Sequence, residues 1–107
     1  VVKRYAHYSA AKAGLVALTK GLARENAPAV RVNALAPGLT QTAFLQGGTG
    51  RERIFQGIRE EDYAGLVPMK RMAQPQDMCG PMMFLLGPAS GFVNGEMLIV
   101  DGGVYVQ

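Results

Sequence analysis

Apolar residues recur at spacings of three and four from Leu15 through Leu18 to Leu22. That spacing lays them along one stripe of a helix. Small residues, Ala10, Ala13, Gly14 and Ala17, share the same segment. The pattern predicts a helix over 8–26 with one face for its own sheet and another for close approach of a second helix. Glu25-Asn26-Ala27-Pro28 ends it, because proline disfavours helical backbone in the residue before it. From Val30 to Ala36 the period changes to two. Val30, Val32, Ala34 and Ala36 alternate with Arg31, Asn33 and Leu35, which predicts a strand. Asn33 is expected to tie down backbone where a neighbouring loop crosses. Pro37-Gly38 breaks the strand at its carboxyl end, the place where ligands of open α/β sheets sit. A glycine there lets backbone come close to a flat ring.

Residues 43–67 carry no clean period. Gly47, Gly48 and Gly50 form a flexible join, yet Phe44, Phe55 and Tyr63 make the segment too apolar for a linker. Two short helices around a glycine hinge, closing over a substrate as a lid, are the expectation. These glycines lack the strand before them and the Gly-Lys-Ser/Thr ending of a phosphate loop. Pro75 opens a second clear helix, with Asp77 at the positive end of its dipole. Met78, Met82, Met83, Leu85 and Leu86 give it an apolar face, and Gly87-Pro88 stops it. Met97-Leu98-Ile99-Val100 is an unbroken apolar run, as in a strand covered on both faces. Asp101-Gly102-Gly103 then turns the chain away. Helix, strand, lid, helix, strand is half of a doubly wound parallel α/β sheet, since parallel strands need such crossovers.

Composition narrows the partners. The chain has 107 residues, 49% hydrophobic and 18% charged, which reads as one globular domain. The net charge is +3, but the basic residues are scattered and no nucleic-acid motif accompanies them, so no nucleic-acid partner is expected. No apolar run approaches the roughly 20 residues that span a bilayer, and no signal peptide is visible. Cys79 is the single cysteine. Its apolar surroundings predict a buried, inert thiol, and a reducing cytoplasm fits. His7 is the single histidine, and metal-ligand spacing is absent, so no metal site is expected.

The chemistry gathers at Tyr8 and Lys12. Residues four apart on a helix are neighbours on one face. A free tyrosine titrates near about pH 10, and a fixed positive charge within a few ångströms favours its phenolate. Such a pair suits a tyrosine that exchanges protons near neutral pH.

Four ordered motifs extend that reading. Tyr8-Ser9-Ala10-Ala11-Lys12, Arg31-Val32-Asn33-Ala34-Leu35-Ala36-Pro37-Gly38, Leu39-Thr40-Gln41-Thr42 and Val100-Asp101-Gly102-Gly103 together resemble the C-terminal half of the short-chain dehydrogenase/reductase family. The wording is most similar to its 3-oxoacyl-[acyl-carrier-protein] reductase-like members, and the match is weakest between Ala43 and Val67. The resemblance implies the C-terminal portion of a Rossmann-like domain over 1–107, with 43–67 as a substrate lid. It implies Tyr8 as the acid/base and Lys12 as its partner, both also touching the cofactor. Pro37 and Gly38 would set the backbone of Leu39 against the nicotinamide carboxamide, with the Thr42 hydroxyl nearby. The cofactor implied is NAD or NADP. The substrate implied is a small carbonyl or alcohol, carrier-protein-linked ones included, and the assembly a homo-dimer or homo-tetramer.

The family's Gly-rich turn, its Asn-Asn-Ala-Gly segment and its catalytic serine all precede the tyrosine and have no counterpart here. The chain is therefore expected to be part of a longer protein and incomplete alone. Two rivals stand beside the enzyme reading. One is a non-catalytic remnant that keeps only oligomerisation surfaces. The other is a basic module that binds nucleic acid or a carrier protein.

Overall fold

The computed structural model describes residues 6–43 and 60–105. Helix α1 spans Ala6–Glu25, strand β1 Ala34–Pro37 and helix α2 Glu60–Leu66. A 3-10 turn over Pro75–Met78 leads into helix α3, Cys79–Leu86. A second 3-10 turn, Pro88–Ser90, precedes strand β2, Met97–Val100. The two strands pair in one sheet. The Ala34 N–H donates to the Glu96 carbonyl at 2.8 Å and the Gly38 N–H to the Val100 carbonyl at 2.9 Å. Both sets of numbers rise together, so the pairing is parallel, and the helices between the strands form the crossover. The fold is α/β, in the manner of a doubly wound domain.

Two units make up the chain: Val1–Leu35 with Phe84–Leu98, and Ala36–Met83 with Ile99–Gln107. In the first, α1 is long because its sequence is rich in Ala and Leu and holds no β-branched run. It ends where the Asn26 side chain and backbone N–H both donate to the Leu22 carbonyl, at 2.8 and 3.0 Å. Asn94 joins two segments of this unit: its Nδ2 donates to the Ala23 carbonyl at 2.9 Å, and its Oδ1 accepts from the Val32 N–H at 2.9 Å. Gly95 holds a positive φ of 78°, and a Cβ there would lie 3.4 Å from that of buried Ala23. Asn33 does what its place in the sequence predicts. Its Nδ2 donates to the Val93 carbonyl at 3.0 Å, and its Oδ1 accepts from the Glu96 N–H at 3.0 Å.

The second unit has a small core of Tyr63, Val67 and Met72. Burial pushes the Tyr63 phenol above its ordinary pKa. Gly102, with a φ of 66°, lies against this core, since a Cβ added there would stand 2.7 Å from Val67 Cγ1.

Several expectations change. The strand foreseen over 30–36 starts only at Ala34, because the residues before it bond elsewhere. Val30 N–H closes on the Asn26 carbonyl at 3.0 Å, and Val32 bonds Asn94 and Gly95 in place of a strand partner. The helix foreseen from Pro75 onward splits in two. Pro81 has no N–H to bond the carbonyl four residues back, so the α-helical ladder cannot run through from Asp77. Leu15, Leu18 and Leu22 are 53%, 54% and 37% exposed, and Met82, Met83 and Leu86 are exposed as well. Two strands of four residues are too little sheet to cover those faces. Cys79, expected inside, is exposed as well. Of the lid foreseen over 43–67, residues 44–59 lie outside the described residues. The part that is described ends in α2.

Candidate active site

Tyr8 and Lys12 lie on one face of α1, as their spacing predicts. The Lys12 ammonium stands over the Tyr8 ring, 5.5 Å from its centroid. The contact is therefore a cation over an aromatic face, where the sequence suggested an ammonium beside the phenol oxygen. Tyr8 is 43% exposed, so a molecule arriving from outside α1 can reach its hydroxyl. His7, beside it, is exposed too.

Pro37, Gly38, Leu39 and Thr42 belong to the second unit. The strand breaks after Pro37, and Gly38 has a reason to be glycine that the sequence did not reveal. A Cβ there would stand 2.6 Å from Asp101 Cα, closer than any side chain can be accommodated. The close approach is to the turn after β2. Asp101 fixes that turn, accepting from the Gly103 N–H at 2.9 Å and the Tyr105 N–H at 2.7 Å.

Leu39 is half-buried. Its carbonyl accepts from the Ala73 N–H at 3.0 Å, while its own N–H makes no hydrogen bond among the described residues. The Gln41 N–H donates to the Ala73 carbonyl at 2.8 Å, which closes a parallel bridge between Thr40 and Ala73. The Thr40 hydroxyl donates to the Gly38 carbonyl at 3.0 Å. Thr42 is exposed at the end of this segment.

The sequence places Asp77 at a helix start but does not reveal its pairing with Arg71. Arg71 holds Asp77 through both guanidinium branches, Nη1 to Oδ2 at 2.6 Å and Nη2 to Oδ1 at 2.9 Å. Two parallel bonds of this kind fix geometry as well as charge. The carboxylate also accepts from the Gln74 N–H at 2.7 Å. Arg71 beside it, then that N–H, holds the Asp77 carboxyl down at about 2. Gln74 Nε2 donates to Gln41 Oε1. A cavity of about 210 Å³ has Leu39, Arg71 and Asp77 in its wall, with Val67, Met69 and Val100. The available signal was the run Arg71 to Asp77 around Pro75, an opposite-charge pair astride a helix start. Among the described residues no cluster of His, Cys, Asp and Glu could hold a metal ion, and no helix is long and apolar enough to cross a membrane.

Comparison with known proteins gives this geometry a setting. A family profile described as enoyl-(acyl carrier protein) reductase matches residues 1–105. An acetoacetyl-CoA reductase of Allochromatium vinosum is 39% identical over 105 residues, which is 95% of this chain and 39% of that protein. An acetoacetyl-CoA reductase of an Acinetobacter species is 35% identical over 103 residues, again 95% of this chain and 39% of the other. The chain thus spans about two fifths of the length of these curated relatives. Among solved structures, a short-chain dehydrogenase/reductase from Brucella melitensis superposes with a TM-score of 0.84 at 33% identity, covering 99% of this chain and 40% of that one. A gluconate 5-dehydrogenase from Burkholderia cenocepacia, solved with NADP and tartrate, gives 0.77 at 33% identity over 92% of this chain and 37% of its own. With a family profile running over nearly every residue and a fold shared at this identity, the chain belongs to the short-chain dehydrogenase/reductase family.

Proposed function

We propose that the natural polypeptide carrying this chain transfers hydride between NADH or NADPH and a small carbonyl or alcohol, working as a homo-dimer or homo-tetramer. The observation that carries the reading is the pairing of Tyr8 with Lys12 on an accessible face of α1. When bound, the nicotinamide supplies or accepts the hydride. Tyr8 gives its hydroxyl proton to the carbonyl oxygen during reduction and takes it back from the alcohol during oxidation. Lys12 keeps a positive charge against Tyr8 and offers donors to the ribose next to the nicotinamide. Pro37 and Gly38 end β1, and the Leu39 N–H beyond them has no hydrogen bond among the described residues. That unused N–H fits a carboxamide oxygen, and the Thr42 hydroxyl is close by in sequence for the same end of the cofactor. The acetoacetyl-CoA reductase relatives favour carbonyls carried on a thioester, which includes carrier-linked ones.

Tyr8→Phe tests this. It removes the proton donor and keeps the ring under Lys12. Turnover of acetoacetyl-CoA or a gluconate-type substrate with NADH or NADPH should fall on the order of 10²-fold or more, with cofactor affinity nearly unchanged. Wild-type turnover in the Phe variant would overturn the assignment. The exposed Leu15, Leu18 and Leu22 stripe favours a second reading, a chain that serves only as an oligomerisation surface. A natural polypeptide with no dinucleotide binding and an intact oligomer would support it.

A further inference from the structure

Building on the reading above, we infer that the Arg71–Asp77 clamp is a positioning device for the cofactor's nicotinamide end, acting through the backbone of Leu39. The argument starts from Leu39 itself. A half-buried backbone donor with no partner among the described residues, as at Leu39, is uncommon in folded chains, and its direction depends on what fixes the peptide. Here the fixing is done from the other side. The Leu39 carbonyl is held by the Ala73 N–H, and the Gln41 N–H is held by the Ala73 carbonyl. The peptide that carries the Leu39 N–H is itself fixed through the Gly38 carbonyl, which accepts from the Thr40 hydroxyl at 3.0 Å, and Ala73 holds the residues on both sides of that Thr40.

What holds Ala73 is the clamp. Arg71 lies two residues before it and donates to the Met72 carbonyl at 3.2 Å while gripping Asp77 with both branches. Asp77 in turn accepts from the N–H of Gln74, the residue after Ala73. Gln74 reaches back to the Gln41 side chain. The residues on each side of Ala73 are thus tied to one ion pair, and the bridge passes that order to Leu39. Arg71, Asp77 and Leu39 also share the wall of one cavity. Arg71 is 52% and Asp77 32% exposed in its side chain, and an exposed ion pair adds little to global stability. Its planar, two-bond geometry suits orientation better than it suits holding the fold together.

The test separates orientation from general damage by using two ligands. NADH and NADPH carry the nicotinamide; ADP-ribose and 2′-phospho-ADP-ribose do not. Asp77→Asn keeps shape and some hydrogen bonding, and Arg71→Lys keeps the charge but not the fork, so both are mild. In the natural polypeptide, each variant should bind the dinucleotide roughly ten- to a hundredfold more weakly and bind the matching ADP-ribose within about twofold of wild type. Equal losses on both ligands would overturn the inference, because a structural defect weakens both. So would unchanged dinucleotide affinity in both variants. If one variant does not fold, as shown by its thermal midpoint, the other decides. Wild-type protein that is folded yet binds neither ligand would overturn the hydride-transfer reading itself, a result that no clamp variant can mimic.

Discussion

Arg31 offers the sharpest test of how this chain is held together. Its Nη1 donates to the Val93 carbonyl at 3.1 Å, and its Nη2 donates to the carbonyls of Leu85 at 3.0 Å and Gly87 at 3.2 Å. The guanidinium therefore collects three carbonyls near the end of α3, where a cation also meets the negative end of the helix dipole. Hydrogen bonds to a charged group contribute about 1.5–3 kcal/mol each, so a naive sum for Arg31→Met exceeds 4 kcal/mol. The structure argues for less. Ser90 is fully buried, and its hydroxyl lies 2.9 Å from the Leu85 carbonyl and 3.1 Å from that of Gly87. Asn33 Nδ2 also serves the Val93 carbonyl. The Ser90 hydroxyl has one hydrogen and can serve the Leu85 carbonyl, while the Ser90 N–H already donates to the Gly87 carbonyl at 3.4 Å, so no carbonyl is orphaned when Arg31 goes and the large penalty for an unsatisfied acceptor is avoided. We expect Arg31→Met to cost about 2–3 kcal/mol.

Ser90→Ala should cost about 1 kcal/mol by the same logic, since Arg31 still covers both carbonyls. The double variant leaves the Leu85 oxygen without either donor, while the Gly87 oxygen keeps the backbone N–H of residue 90. Its loss should exceed the sum of the single losses by about 1–2 kcal/mol, the cost of stranding a buried acceptor. Urea unfolding of the natural polypeptide, read as midpoints at constant slope, measures all three. Additivity within about 0.5 kcal/mol would refute the idea that Arg31 and Ser90 share the Leu85 carbonyl. A loss below about 0.5 kcal/mol for Arg31→Met would refute the cap itself.

Three further outcomes are expected. Asp77, held down at about 2 by Arg71 and the Gln74 N–H, is depressed from its ordinary value. Its stabilisation is complete above about pH 4 and disappears as pH falls through about 2. Wild type and Asp77→Asn should therefore differ in thermal midpoint at pH 5–7 and converge toward pH 2, and a gap that is constant with pH would contradict the ion pair. Gly102→Ala should destabilise by about 2–4 kcal/mol, because alanine resists the positive φ of 66° and its Cβ would press on Val67 Cγ1; a neutral effect in denaturant unfolding would show that this turn is looser than described. Purified 1–107, titrated with NADH and NADPH by nicotinamide fluorescence, should bind roughly a thousandfold more weakly than a complete family enzyme, since its candidate contacts reach only the nicotinamide end; micromolar binding with turnover would contradict this.

The sequence was most legible where local chemistry alone decides structure. Tyr8 and Lys12 meet because helical spacing brings them together and nothing in α1 competes. Gly87-Pro88 stops α3 at Leu86 because proline cannot continue a helix. β2 falls on Met97–Val100, an unbroken apolar run set between Gly95 and the Asp101-Gly102-Gly103 turn. Parallel pairing was legible too, since parallel strands need a crossover connection and helices fill the interval between these two. What escaped depends on partners distant in sequence. Val30–Asn33 alternates like a strand, yet Asn94 and Gly95 take its hydrogen bonds, and no local pattern reveals that competition. Gly38 looked like a glycine for a ligand. It is required in any case by Asp101, 63 positions on, whose Cα would lie 2.6 Å from any Cβ.

The apolar stripes carry the same lesson in the opposite direction. Periodicity says which side of a helix wants to be covered and is silent about what covers it. Leu15, Leu18 and Leu22 were placed correctly on one stripe, and they stand exposed. A single exposed leucine needs no explanation, but three in register form a patch that water tolerates poorly. Each half-exposed leucine leaves on the order of 1 kcal/mol of burial unrealised, a sizeable share of the 5–15 kcal/mol by which a domain is stable. The same holds for Met82, Met83 and Leu86 on α3. The polar side chains tell a different story: Arg31, Asn33, Ser90 and Asn94 all find their partners within one unit. The hydrogen-bonded interior is thus specified by these residues, while the apolar faces are built for surfaces that these residues do not supply. A chain so constituted settles its polar contacts locally and leaves its apolar stripes to be covered from elsewhere.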